Sequence, residues 1–204
     1  MLSPIASSTL QATAIAATSN VIAQLLEQRS KQTASGFSMP DFLRFVIFTL
    51  LTAPPNYLWQ HALERMFPGR KPLNPTKTML PRYEIRELNG PSGEEGSQQQ
   101  EEPETKLDWK NTMIKWFIDC ITLGALLNTG LFIILMGIMK GRSMHQIGFA
   151  LRTSTFSIIY ASYTIWPLAS IVNFSLIRVE KRIVFLSLVG LVWGIFLSLT
   201  ASKQ

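Results

Sequence analysis

The chain has 204 residues, enough for one domain with a sizeable core; 47% of them are apolar and only 16% charged. That charged share lies below the roughly 25% usual for soluble domains, and the mean hydropathy is positive at +0.20, which excludes an ordinary soluble domain. The net charge of +6 does not mark a nucleic-acid binder, because eight of the thirteen acidic residues sit in one polar segment, 81–108, and the basic residues elsewhere flank apolar blocks. Basic residues at such boundaries set membrane topology and meet anionic headgroups, whereas a nucleic-acid surface collects them on one face.

Residues 5–28 form a weakly apolar helix with no charge before Glu27. Ser8, Ala12, Ala16 and Asn20 recur every four residues, with Ser19 and Ala23 beside them. Small residues at that spacing let helix backbones approach closely in lipid, so this helix is expected inside a bundle. A second helix, 42–60, begins after Pro40-Asp41 and meets Pro54-Pro55 in its second half. Paired prolines bend a helix and free carbonyls that neighbours must satisfy, which also places it inside the bundle. Residues 81–108, rich in Glu, Gln, Gly, Ser and Pro, read as an acidic disordered loop outside the membrane.

The third helix, 116–139, carries Lys115 and Asp119 one turn apart at its start. The fourth, 146–173, contains Trp166-Pro167 and is expected to kink there, the bend being stabilised by Asn173 or neighbouring hydroxyls. The fifth, 183–201, has no ionisable residue, and Gly190 and Gly194 form a small-xxx-small packing motif. The similar spacing of Gly137 and Gly141 falls at a helix end and reads as a turn. Uncharged runs of about 18 or more apolar residues span membranes. The fold class is therefore all-α: a single-domain integral membrane bundle of four to five transmembrane helices with one kinked helix.

Cys120 is the one cysteine, so no internal disulfide is expected. His61 and His145 lack acidic partners at ligand spacing, so no metal and no cofactor are expected. The start of the chain shows neither a secretory signal nor an Arg-rich presequence. Ionisable and polar groups within spans are costly and often functional. Asn20, Gln24, Arg44, Lys115, Asp119, Asn173 and Arg182 are the candidates for a pore lining or a polar network. Two readings stay open: a polar path through the bundle, or a structural arrangement with Lys115 paired to Asp119 at i, i+4 and with Arg44 and Arg182 reaching headgroups. No paired carboxylates or His set suggest catalysis, so an enzyme is not expected. The Asn173-Phe174-Ser175 sequon lies at or inside the membrane and is expected to be unused.

With these segments placed, the C-terminal stretch resembles the signature of the Mpv-seventeen / peroxisomal-membrane-protein family. Trp166, Pro167, Asn173, Phe174, Arg182, Trp193, Leu197 and Ser198 stand in the family's register. Similarity extends to Pro4, Ala23 and Gln24, to Asp41, Arg44, Pro54, Trp59, Leu63 and Pro68, and to Lys115 with Asp119. The chain departs from the pattern at Ser19-Asn20, where Gly-Asp is usual, at Cys120 for Gln, at Lys140 for Glu and at Arg178 for Pro. The resemblance implies a bundle of four or five helices in an organelle membrane, peroxisomal or alternatively mitochondrial inner. It also implies either a weakly selective pore for small solutes or a non-conducting structural, sorting or stress-related protein. The partners it implies are the lipid bilayer, small solutes and further copies of the chain, with no nucleic acid. It assigns structural roles to Pro54, Trp59, Trp166, Pro167, Phe174, Trp193 and Ser198.

Overall fold

The computed structural model describes residues 2–31, 36–72 and 105–201, and these are almost entirely helical. Helix α1 (Pro4–Lys31) is followed by α2 (Met39–Met66), whose N-cap Ser38 accepts the Asp41 N–H, with Pro40 in the first turn where its missing donor costs nothing. α2 runs on through Pro54 and Pro55 without a break. A two-stranded antiparallel ribbon then pairs β1 (Arg70–Pro72) with β2 (Thr105–Leu107), Lys71 opposite Lys106. The last residues of the expected acidic loop are thus strand and helix cap. Residues 81–104 of that loop lie outside the described residues.

Asp108 caps α3 (Trp109–Trp116), so this helix starts well before the expected boundary at 116. A single π-helical turn, Phe117–Ile121, joins it to α4 (Leu123–Met139). The Thr122 N–H closes this turn on the Phe117 carbonyl, and the Asp119 carbonyl comes so close to Gly124 that no side chain fits there. A turn with Gly141 at φ 70° leads to α5 (Met144–Ser162), which opens with a Ser143–Gln146 capping box. The expected fourth helix is two pieces. α5 ends at Ser162, and α6 (Trp166–Leu176) departs from it at 63°. Pro167 sits in the first turn of α6, so it starts a helix and does not interrupt one. The Trp116 indole N–H bonds to the Pro167 carbonyl at 2.9 Å, and the Tyr163 hydroxyl to the Ile121 carbonyl at 2.8 Å. Those two contacts pin the bend; Asn173 points elsewhere. A 3-10 turn, Val179–Lys181, leads into α7 (Arg182–Ala201).

α1 packs along α7 and α2, α4 along α5, and α3 against α6. Ala12, Ala53, Tyr57 and Ile183 form a small core where α1, α2 and α7 meet. The small face of α1 makes that approach close, with Ser8, Ala12 and Asn20 all buried. Of the glycine pair on α7, Gly194 faces Ser19, while a Cβ on Gly190 would meet nothing within 4 Å. Gly137 packs tightly on Ile147 and thus serves the α4–α5 contact, while Gly141 makes the turn.

Large apolar side chains cover the outside: Phe156, Tyr160 and Leu168 are 74%, 83% and 72% exposed. Among the described residues one continuous stretch, Trp109–Met139, is long and apolar enough to cross a membrane, and α5 with α6 would make one broken span. Only 24% of the most apolar part of Trp109–Met139 is buried. A soluble core helix would hide that surface; here it faces outward, as lipid contact requires.

Candidate functional site: a cavity between the helices beside a buried ion layer

The chain direction gives the bundle two ends. α2 finishes, α3 starts, α6 finishes and α7 starts beside the β-ribbon. The opposite end holds the α1–α2 and α4–α5 connections.

A cavity of about 730 Å³ lies between the helices, walled by α1, α2, α4, α5, α6, α7 and the π-turn. Its wall is mostly small or apolar, with Asn20, Asn56, Gln60, Asp119, Asn128 and Ser170 as polar points. On α2 the lining runs from Phe45 to Gln60, about 22 Å at a rise of ~1.5 Å per residue. Among the described residues, Asp119 is the one acidic or basic side chain in the wall. The Trp59 indole N–H donates to its Oδ1 at 2.8 Å and the Gln60 amide reaches the same oxygen at 3.4 Å.

One helical turn beyond Gln60, on the ribbon side, lies a layer of charge. Glu64 accepts from Lys115 Nζ at 2.6 Å and from Arg182 Nη2 at 2.7 Å through Oε2, while its Oε1 takes the Gly69 N–H at 2.7 Å. The Lys115 side chain is fully buried and that of Arg182 nearly so, at 0% and 4% exposure. Phe174 also contacts both cations, with Lys115 Nζ 5.4 Å and the Arg182 guanidinium carbon 5.0 Å from its ring centre. Two like charges are held together because one carboxylate and one aromatic ring face both of them. Arg182 Nε further donates to the Ile177 carbonyl at 3.3 Å. Gly69 leaves the room required: a Cβ there would come within 2.6 Å of Lys115 Nζ.

Asn173, fully buried, joins the layer to the cavity by donating to Gln60 Oε1 at 3.3 Å. Among the described residues, Asn173 Oδ1, Arg182 Nη1, Ser170 Oγ and Thr112 Oγ1 are buried with no hydrogen-bond partner from the protein. Native interiors keep such groups rare because each costs about 1–3 kcal/mol.

The candidate residues thus divide into three groups. Asn20 and Asp119 line the cavity, and Asn173, Lys115 and Arg182 belong to the charged layer beyond Gln60, outside its wall. Gln24 and Arg44 lie at the opposite end. The Gln24 amide donates to Asn20 and to the Ser38 carbonyl and accepts the Ser38 N–H, tying α1 to the start of α2. Arg44 pairs with Asp41 at 2.7 Å and donates to the Met139 carbonyl at 3.2 Å, tying α2 to the end of α4. The alternative pairing of Lys115 with Asp119 is not what the structure shows. The wider π-turn between them rotates Asp119 towards Trp59 and leaves Lys115 to Glu64. Arg182 likewise turns inward and does not reach for headgroups. Trp166 and Trp193 stand in the cavity wall, Phe174 lies under the cations and Pro54 is half-buried on α2. The Ser198 side chain lies outside the described residues.

Glu64 and Gln60 were not among the sequence candidates. The available signal was Glu64 as the sole carboxylate between Asp41 and Glu84, one turn after Gln60 on the same helix. A bundle that buries cations needs such a partner.

The family profile of the Mpv17 / PMP22 family matches residues 137–198, which hold α5, α6 and most of α7, and with them Asn173, Phe174 and Arg182 of the charged layer. The chain is thus similar to the Mpv17 / PMP22 family, over its C-terminal third by the family profile. A relative similar over nearly the whole chain is PXMP2/4 family protein 3 of Dictyostelium discoideum, 24% identical over 201 residues, or 98% of this chain and 86% of that protein. Protein SYM1 of Saccharomyces cerevisiae is 25% identical over 95 residues, 47% of this chain and 48% of its own length. PXMP2/4 family protein 4 of Dictyostelium discoideum is 29% identical over 93 residues, 46% of this chain and 50% of that protein. The last two matches therefore span about half of each relative. No solved structure matches the chain. This likeness supports an organelle membrane protein and agrees with the all-α fold.

Proposed function

We propose that this protein is a member of the Mpv17 / PMP22 family and a weakly selective pore for small solutes, acting without catalysis. The observation that carries the proposal is the cavity with the Asp119 carboxyl group in its wall, running along most of α2, with the Glu64–Lys115–Arg182 layer one helical turn beyond its last α2 residue, Gln60. Four or five membrane crossings follow if α1, α2, the α3–α4 stretch, the bent α5–α6 pair and α7 each traverse the bilayer.

We propose the peroxisomal membrane as the location, with the mitochondrial inner membrane as the alternative. The near-full-length likeness to a PXMP2/4 family protein, against half-length likeness to SYM1, supports that order. The experiment is single-channel recording of the purified protein in planar bilayers, beside Asp119→Asn, which keeps the shape of the side chain and removes its charge. Discrete openings whose ion selectivity changes in the variant are expected. Silence from folded, inserted protein would favour the non-conducting structural or sorting role.

A further inference from the structure

The face that α5 turns outward carries a charge that the bundle does not answer. His145, Phe149, Arg152 and Phe156 recur along it at three- and four-residue spacing, and all four are exposed, Phe149 by 65% and Phe156 by 74%. Among the described residues the Arg152 side chain meets no carboxylate and no hydrogen-bond acceptor. No acidic residue stands between Asp119 and Glu180 in the chain. The α4–α5 pair therefore carries Lys140, Arg142 and Arg152 with no acid of its own. Of these, Lys140 lies near Asp41, which Arg44 already pairs. One turn before Arg152, nearer the start of α5, a Cβ on Gly148 would meet nothing within 4 Å, so a notch opens there beside the helix backbone.

We propose that this face binds one anionic phospholipid, its phosphate in the Gly148 notch against Arg152 and an acyl chain along Phe149 and Phe156. Arg152 lies eight residues into α5, about 12 Å at ~1.5 Å per residue, so its backbone is below the boundary that Ser143, His145 and Gln146 mark. A charge facing hydrocarbon at that depth is costly. Long helical side chains lean towards the helix start, and here that direction leads past Gly148 to the boundary. The anion that answers the guanidinium must then come from the boundary, and a phosphate fits its fork of donors. A second copy of the chain is the poorer fit, because the carboxylates at this end, Glu27 and Asp41, are each engaged already. The net positive charge of the α4–α5 pair selects a headgroup that is itself negative. The site lies on the outside of the bundle and stands whether or not the cavity conducts.

The test is native mass spectrometry of the purified full chain in a neutral detergent, with dioleoylphosphatidylglycerol or dioleoylphosphatidylcholine added in equal amounts. One phosphatidylglycerol per chain is expected to survive detergent removal, and phosphatidylcholine is not. Arg152→Gln lowers the retained fraction about tenfold, the effect of losing one charge-assisted contact. Gly148→Leu keeps every cation, fills the notch where a side chain meets open space, and lowers retention as far. Arg29→Gln, which removes an exposed cation on α1 at the same end, leaves it unchanged. Equal retention of phosphatidylcholine, equal loss in the Arg29 variant, or full retention in either α5 variant would overturn the proposal. So would a dimer that Arg152→Gln dissolves, which would give this face to a second copy.

Discussion

Replacing Glu64 with Gln tests the charged layer most directly. The substitution keeps an acceptor for the Gly69 N–H but removes the charge shared by Lys115 and Arg182. Leaving a buried ion without its partner costs about 3–5 kcal/mol. Glu64 is 27% exposed, so water softens the loss and the lower end, about 3 kcal/mol, applies. Arg182 cannot relieve the strain by giving up its proton. At about 2–4 °C per kcal/mol for a chain of this size, the melting temperature should fall by on the order of 6–12 °C. Tryptophan-fluorescence melting in mild detergent reads this out. Adding Arg182→Met to Glu64→Gln removes one of the two orphaned charges, leaving Lys115, and should recover about half of the loss. A Glu64→Gln protein melting within about 1 °C of the wild type would refute the reasoning, and so would a double variant that falls by the sum of its parts.

Two further outcomes follow from individual contacts. At the polar start of α2, hydrogen bonds from Arg44 and then Ser38 hold the Asp41 carboxyl below its usual range. A carboxylate lowered on folding stabilises the fold above its unfolded value of about 4 and loses that effect as the pH falls through the lower folded value. Melting curves of wild type and Asp41→Asn should therefore differ at pH 7 and converge in acid; a constant gap would rule out the pair as the cause. Among the glycines, Gly190→Ala meets open space and should hold or raise stability by about 0.5–1 kcal/mol. Gly124→Ala pushes a methyl into the Asp119 carbonyl and should disrupt the π-turn, and equal melting of the two variants would contradict that contrast.

The helices were legible in the sequence because lipid demands long uncharged runs and small-residue faces, and both leave plain patterns. The four-residue repeat of α1 foretold its close packing, and the Gly141 turn followed from its place at a helix end. The azimuth of side chains was not legible. Asp119 and Lys115 sit four apart, which on a regular α-helix makes them neighbours, and a single extra residue in the turn separates them. Trp166-Pro167 similarly marked a break, but only packing against Trp116 and Tyr163 fixes where it falls and what holds it. Glu64 stayed hidden because its importance lies in two cations that are 51 residues or more away along the chain.

The β-ribbon has a practical consequence for engineering the molecule. It clamps Pro72 beside Thr105, so the bundle receives both chain ends at fixed positions whatever length of chain joins them. Loop-closure entropy grows only slowly with that length. An epitope or fluorescent domain inserted between the strands should leave the helices undisturbed, and its accessibility from either side would orient the whole protein in its membrane. Cutting the chain there would yield two fragments, α1–α2–β1 and β2–α3 to α7, each carrying one strand of the clamp and one side of the Glu64–Lys115 pair, suited to a split-protein reporter of assembly.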